Sequence, residues 1–220
     1  MIATSYPTEG SGLSTKPGGN KNEGFTVGAM GLSDFFKRSK HKDQAHSLYM
    51  ALVGQARKPA FYRHCEVPDS LDGRFELIVI HAALLLRRLR HEGETGIELG
   101  QTVFDVMIDD MDQSLREMGA GDLAVGHRVK AMARAFFGRA AAYEAALSAA
   151  DDDAGAALAE ALGRNLYGTV TVDDGAVTAM AGYMRRETAR LAEQPGTALL
   201  AGAVEFGAAP REDENGENHG

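Results

Sequence analysis

Apolar residues in the middle of this chain recur at helical spacing. Between residues 43 and 56 they fall at i, i+1, i+4, i+5 and i+8, on one face of an α-helix. These positions are Leu48, Tyr49, Leu52, Val53 and Ala56. Pro59 disfavours helical backbone at the residue before it, so the first helix is expected to end there. Strand-like alternation is nearly absent, which favours an all-α fold.

Further helices are expected along the chain. The second helix follows a turn in which Asp69 or Ser70 can cap its first N–H groups. Residues 93–96 are glycine-rich and are expected to form a loop, and Gly119 suits the left-handed position that ends a helix. The pattern predicts a single-domain bundle of five to six helices. The later ones cover about residues 71–91, 99–118, 127–149, 158–167 and 176–192.

Both ends of the chain contain few large apolar side chains. Such segments bury too little apolar surface to offset the entropy that they lose on ordering. We therefore expect disordered termini around one domain. The predicted division is a disordered segment 1–31, a helical domain 32–195 and a flexible acidic tail 196–220.

The charge of the chain is unevenly distributed. Its formal net charge is −8, but residues 1–149 carry 18 basic and 18 acidic side chains, whereas residues 150–220 carry 5 and 13. A DNA-binding domain is normally basic, so the neutral main body argues against DNA as a partner.

The longest apolar run predicts a buried helix rather than a membrane span. As a helix, Leu77–Leu86 would rise about 15 Å, half of what a bilayer core requires. The single cysteine, Cys65, cannot form an internal disulfide and suits a reducing compartment. We expect a soluble, cytoplasmic protein that could lie peripherally on a membrane.

Three aspartates on the predicted third helix form an acidic stripe. Asp105, Asp109 and Asp112 follow one another at i, i+4 and i+7, a spacing that could supply oxygen ligands to Mg²⁺ in an all-α enzyme. Such a site needs a second acidic cluster, and the other run, Asp151–Asp153, lies at a helix boundary. Arg116 can pair with Asp112 one turn away. An ion-paired rim is therefore favoured, and the Mg-dependent enzyme is the alternative.

His81 lies in the middle of the apolar second helix. We expect a buried neutral imidazole with a backbone or side-chain partner, because a catalytic histidine needs a nucleophile or acid that the sequence does not locate. Phosphate-binding loops, nucleophile elbows and His-Glu-x-x-His motifs are absent from the sequence. We therefore predict a protein without catalytic residues, metal or cofactor.

A basic segment precedes the first predicted helix. It mixes two aromatic side chains with cationic ones, a composition that suits contact with anionic lipid or ribosomal RNA. Alternatively, the phenylalanines pack on the core of a soluble lead-in. The candidate contact residues are Phe35, Phe36, Lys37, Arg38, Lys40 and Lys42.

Five groups of short motifs between residues 45 and 149 are more specific. They are Leu48-Tyr49 with Gln55-Ala56-Arg57, Pro59 and Phe61-Tyr62; Val67-Pro68-Asp69-Ser70 with Asp72-Gly73-Arg74-Phe75-Glu76 and His81; Phe104-Asp105 with Asp109-Asp110-Met111-Asp112; Leu115-Arg116-Glu117-Met118-Gly119 with Gly121-Asp122; and Phe136-Phe137-Gly138-Arg139 with Ala142-Tyr143. In this order they resemble the ubiquinol–cytochrome c chaperone family. One motif alone is weak, but the ordered set is specific.

The resemblance implies an all-α, non-enzymatic assembly factor for the cytochrome bc1 complex, which is ubiquinol–cytochrome c reductase or complex III. Its client would be newly made cytochrome b or another bc1 subunit. A small partner protein is compatible with the family, as is contact with a ribosome. A bacterial member would work in the cytoplasm, at the inner face of the cytoplasmic membrane.

Charged residues gather within these motifs near the ends of two predicted helices. We predict that they form a salt-bridged cluster beside an apolar groove, where adaptable methionines hold the client. The alternatives are that Arg74 and Arg116 only satisfy buried helix ends, and that the methionines only pack in the core. The candidate client-binding residues are Asp72, Arg74, Phe75, Glu76, Asp109, Asp110, Asp112, Arg116, Glu117 and Asp122.

Overall fold

The computed structural model describes the backbone of residues 32–149 and 151–210, and the side chains of residues 41–149 and 155–210. Within these ranges the regular structure is helical, which confirms the predicted all-α class. Six helices have 15 to 26 residues, and two have five. In chain order they are α1 (Leu32–Ala56), α2 (Ala60–His64), α3 (Leu71–Leu89), α4 (Gly93–Glu117), α5 (Asp122–Leu147), α6 (Asp151–Asn165), α7 (Asp174–Glu193) and α8 (Gly196–Leu200).

The helix α3 lies at the centre of the bundle. It packs against α1, α4, α5 and α7, and 11 of its 19 residues are buried. A helix that is apolar nearly all round is stable only when other helices surround it. In the parts of the chain that the structure describes, no helix has both the length and the apolar character needed to cross a membrane.

Local capping signals set the boundaries of α3 and α4. The hydroxyl of Ser70 accepts a hydrogen bond from the Gly73 N–H at 3.1 Å, so Ser70 is the N-cap of α3. Gly119 has φ +83°, and its N–H donates to the Arg116 carbonyl. The following N–H reaches the Leu115 carbonyl, which completes a Schellman motif. Both predicted signals are confirmed.

The connection between α3 and α4 is tighter than predicted. Residues 93–96 were expected to form a loop, but they are the first turn of α4, which follows a 3₁₀ turn over Arg90–Glu92. Gly93 has φ +67°, a conformation that lets the chain change direction without a loop. At Gly96 an added Cβ would lie 2.0 Å from the Leu89 carbonyl oxygen. These two glycines therefore permit direct helix-to-helix packing.

The helices α1 and α5 begin earlier than the apolar pattern predicted. α1 begins at Leu32 rather than near Asp43, and α5 begins at Asp122 rather than near His127. The first turns of α5 are polar or solvent-exposed apart from Val125, so their side chains carry little helical periodicity. The backbone is helical although the pattern is weak.

Residues 196–210 pack on the bundle, although the sequence placed them in a flexible tail. Leu199 is fully buried, and Phe206 packs against the core. The N–H of Gly207 donates to the buried Glu187 carboxylate at 2.9 Å. A few well-placed contacts therefore hold a segment whose composition gave no strong signal. The predicted disordered residues 1–31 and the rest of the predicted tail lie outside the described residues.

Candidate functional site

An exposed ion-pair triad joins the end of α4 to the start of α5. The Arg116 guanidinium contacts the Asp112 carboxylate one turn back and the Asp122 carboxylate across the turn. The hydrogen bond that Arg116 donates to Asp112, followed by the one that it donates to Asp122, raises the pKa of Arg116 above its usual value. The side chain of Arg116 is 49% exposed and that of Asp122 is 88% exposed. We call these three residues the α4–α5 clamp.

A second candidate, Asp110, connects α4 to α1. Its carboxylate accepts a hydrogen bond of 2.7 Å from the Tyr49 hydroxyl. Burial, and then this hydrogen bond, raise the pKa of Tyr49, which keeps the phenol protonated as the donor. Asp110 therefore has a role in holding two helices together.

A third candidate, Glu76, forms a largely buried ion pair with Arg139 of α5. The guanidinium contacts both carboxylate oxygens, at 2.7 Å from Nε and 2.6 Å from Nη2. Burial raises the pKa of Glu76, and the bond from Arg139 opposes that effect. This pair connects the central helix α3 to α5.

The remaining candidates are separate from these contacts. Arg74 is exposed and pairs with Asp69 in the preceding turn. Asp72 is exposed, and Phe75 is partly buried against the core. On α4, Asp109 and Glu117 are exposed. In the described structure the predicted cluster is thus divided into distinct contacts, and Arg74 and Arg116 bind carboxylates rather than buried helix ends. A role of these residues in client binding stays a prediction.

The predicted methionine groove is mostly filled. Met107 and Met111 are buried in the core, and Met132 is partly buried. Met118 is the exception: it lies just past the end of α4, is 57% exposed, and is adjacent in sequence to the clamp region. Plain core packing therefore accounts for most of the methionines at helical spacing.

Two of the three aspartates of the acidic stripe are bound by other side chains of α4. Asp105 accepts a hydrogen bond of 2.8 Å from Gln101, and Asp112 is paired with Arg116, as predicted. Among the described side chains, no group of three His, Cys, Asp or Glu residues is arranged to hold a metal ion. The side chains of the other acidic run, Asp151–Asp153, lie outside that set.

The basic lead-in falls within the first turns of α1. The side chains of Phe35, Phe36, Lys37, Arg38 and Lys40 are outside the described residues. Lys42 is exposed. Contact of this segment with a membrane or ribosome stays a prediction.

A buried polar chain around His81 was only partly predicted from sequence. The His81 Nδ1–H donates to the Leu77 carbonyl at 2.7 Å, so Nε2 accepts from the Tyr183 hydroxyl at 2.8 Å. That hydroxyl accepts from Gln55 Nε2, which also donates to the Gly207 carbonyl. The expected buried, neutral histidine is confirmed. Its side-chain partner, Tyr183 on α7, could not be predicted from neighbouring residues, because 102 residues separate it from His81 in the sequence.

The buried imidazole should make stability depend on pH. Burial lowers the pKa of His81 to about 4 from the usual 6.5. Because the folded pKa is lower, the unfolded chain binds a proton first, and stability is lost as the pH falls from about 6.5 toward 4. Relative to the non-titrating variant His81→Gln, we expect wild type to lose on the order of 3 kcal/mol across this window.

Urea titrations at several pH values measure this loss. The buried carboxylates of Glu76 and Glu187 also have raised pKa values, and each would add stability as the pH falls. They are present in both proteins, so their contribution cancels in the difference between wild type and variant. Parallel pH profiles would contradict the assignment.

The sequence of this chain is similar to a known protein family and to several of its members. The sequence profile described as "Ubiquinol-cytochrome C chaperone" matches residues 63–206. Mouse and human proteins named "Ubiquinol-cytochrome c reductase complex assembly factor 1" are each 26% identical over 176 residues, which is 79% of this chain and 58% of theirs. A Xenopus laevis protein of similar name is 24% identical over 165 residues, 75% of this chain and 80% of that protein. The chain thus spans less than two thirds of the mouse and human relatives.

A solved structure has the same arrangement of helices. The chain in "Crystal structure of the Cbp3 homolog from Brucella abortus" is 35% identical and superposes with a TM-score of 0.69. The match covers 81% of this chain and 97% of that one. Similarity therefore extends through nearly the whole of the solved chain.

Proposed function

The chain belongs to the ubiquinol–cytochrome c chaperone family, and from that membership we propose that it is a non-enzymatic assembly factor for the cytochrome bc1 complex. Its client in this proposal is newly made cytochrome b. It works in the cytoplasm at the inner face of the cytoplasmic membrane, with or without a small partner protein.

The observation that carries the proposal is the extent of the family match. The matched residues 63–206 run from the end of α2 through Phe206, so they include the central helix, the clamp and the segment after α8. The family region therefore contains α3 to α8, whereas α1, which also packs against α3 and α4, lies before it. This supports a function of the whole bundle rather than of one motif.

The chemistry of the α4–α5 end suits a membrane-protein client. Four exposed or partly exposed carboxylates surround this end, and we call them the acidic rim: Asp109, Asp112, Glu117 and Asp122. Met118 supplies an exposed, adaptable apolar side chain beside them. Cytoplasmic loops of membrane proteins carry an excess of Lys and Arg next to apolar helices. The rim is complementary to such a segment in both charge and apolar character.

Reversing rim charges that make no ion pair should weaken client capture. Asp109→Lys with Glu117→Lys leaves the clamp intact and is expected to reduce recovery of cytochrome b about tenfold, since two charge contacts at a surface contribute roughly 1.4 kcal/mol together. The measurement is co-isolation of cytochrome b, synthesised in a cell-free reaction, with the tagged full chain.

A control on the same helix separates local from general charge effects. Glu94→Lys with Glu98→Lys changes the net charge equally at exposed positions near the other end of α4. This variant is expected to capture the client as wild type does. Equal capture by all three proteins would place client binding elsewhere on the molecule.

A further inference from the structure

One face of α5 carries a row of solvent-exposed side chains. The residues follow at i, i+4, i+7, i+11 and i+14, which keeps them within an arc of about 80° at 100° per residue. They are Leu123, His127, Lys130, Arg134 and Phe137, and all are exposed. We call this set the α5 row. At 1.5 Å per residue it extends for about 21 Å.

Large apolar side chains mark the two ends of the row. Leu123 is 94% exposed and Phe137 is 59% exposed. The core side of the same helix is formed by other residues, including Val125, Phe136 and Tyr143, which are buried. The ring of Phe137 contacts that of Phe104 at a centroid distance of 5.0 Å, but most of its surface stays open. Packing within the bundle therefore does not account for the side chain of Leu123 and accounts for only part of that of Phe137.

The centre of the row is positively charged and unneutralised. No acidic residue occurs between Asp122 and Glu144. Lys130 and Arg134, and Arg128 beside them, make no ion pair or hydrogen bond within the described residues, whereas Arg139 is paired with Glu76. The chain as a whole is acidic, so this is a local basic surface on a protein of net charge −8.

A basic helix face with apolar residues at both ends has the chemistry of an interfacial membrane helix. Lysine and arginine attract anionic headgroups, and leucine and phenylalanine enter the boundary between headgroups and acyl chains. Nucleic acid fits less well, because phosphate binding requires only the cations and leaves Leu123 without a partner. We propose that the α5 row docks this protein on an anionic phospholipid surface. The proposal rests on α5 alone and does not depend on the proposed client.

Vesicle flotation with the full-length chain tests the proposal. Wild type should float with vesicles that contain phosphatidylglycerol and much less with pure phosphatidylcholine. Each basic residue near an anionic surface changes binding about fivefold, so Lys130→Gln with Arg134→Gln should lower the partition coefficient about 25-fold. Leu123→Ser with Phe137→Ser should lower it on the order of tenfold, because the apolar contacts are lost.

A matched control has the same charge change on another surface. Arg57→Gln with Arg63→Gln replaces two exposed arginines, one just after α1 and one in α2, and should bind vesicles as wild type does. If this control lost as much vesicle binding as Lys130→Gln with Arg134→Gln does, the proposal would be overturned. Unchanged vesicle binding by the variants of the α5 row would also overturn it. Loss only when Lys37 and Arg38 are neutralised would also overturn it and would assign docking to the N-terminal basic segment. If the variants of the α5 row lost RNA binding but kept vesicle binding, the proposal would likewise be overturned.

Discussion

Replacing Arg139 with methionine is expected to lower the free energy of unfolding by about 3 kcal/mol, since it leaves a buried carboxylate without its counter-charge. The side chain of Glu76 is 6% exposed and that of Arg139 is 25% exposed, so water cannot replace both of the bonds that the guanidinium makes. Methionine keeps much of the aliphatic volume of arginine. The loss therefore reports on the ion pair rather than on a cavity, and chemical denaturation at neutral pH measures it.

The cost of Arg139→Met should decrease as the pH is lowered. Burial already holds the pKa of Glu76 above 4.5, and removing the guanidinium raises it further. The folded state of the variant then binds this proton before the unfolded state does, so the stability of the variant relative to wild type increases as the pH falls from neutral toward 4.5. His81 is present in both proteins, so its own pH dependence cancels in this difference. The double variant Glu76→Gln with Arg139→Met should be more stable at neutral pH than Arg139→Met alone.

An exposed pair provides the comparison for this prediction. Arg164 pairs with Glu160 on α6, and the two side chains are 59% and 69% exposed. Arg164→Met should therefore cost less than about 1 kcal/mol. If Arg139→Met were no more costly than Arg164→Met, the buried pair would not stabilise the attachment of α5 to the central helix.

Ending the chain after Gln194 is expected to destabilise the bundle by about 4 kcal/mol or more. The truncation removes the fully buried Leu199, whose burial contributes about 2 kcal/mol, together with Phe206. It also removes both backbone bonds of Gly207, so the buried Glu187 loses a donor and Gln55 loses an acceptor. Thermal unfolding followed by circular dichroism measures the effect.

A second truncation separates the packed segment from the residues that follow it. A chain that ends after Pro210 keeps the described contacts of residues 196–210 and is expected to melt like the full chain. If the two truncations melted alike, residues 196–210 would contribute no stability. The first truncation ends one residue before the predicted domain boundary at residue 195, so the comparison also tests that boundary.

The elements that could be predicted are those with local signals. The end of α1 at Ala56, the cap at Ser70 and the stop at Gly119 depend on residues close in sequence. The α3 helix was predictable because only a surrounded helix can be apolar on nearly every side. His81 was placed correctly for the same reason. These features determine the class of the fold and most helix boundaries.

The contacts between helices could not be predicted from one sequence. Tyr49 and Asp110 are 61 residues apart, and Glu76 and Arg139 are 63 apart. The pattern of charged residues along a sequence does not indicate which distant residue each side chain contacts. The sequence therefore predicted one cluster of client-binding candidates, whereas the fold divides these residues among separate contacts. The segment 196–210 was missed because its few large apolar residues are spread among glycines and alanines without a sustained helical period. These residues are Leu199, Leu200, Val204 and Phe206.

Deletion of the gene, followed by spectra of b-type and c-type haem in isolated membranes, tests the central claim most directly. If the protein is an assembly factor for the bc1 complex, the deletion strain should lose the bc1 haem signals and the native complex while other respiratory complexes remain. Expression of the full chain should restore them. Normal levels of the bc1 complex in the deletion strain would contradict the account.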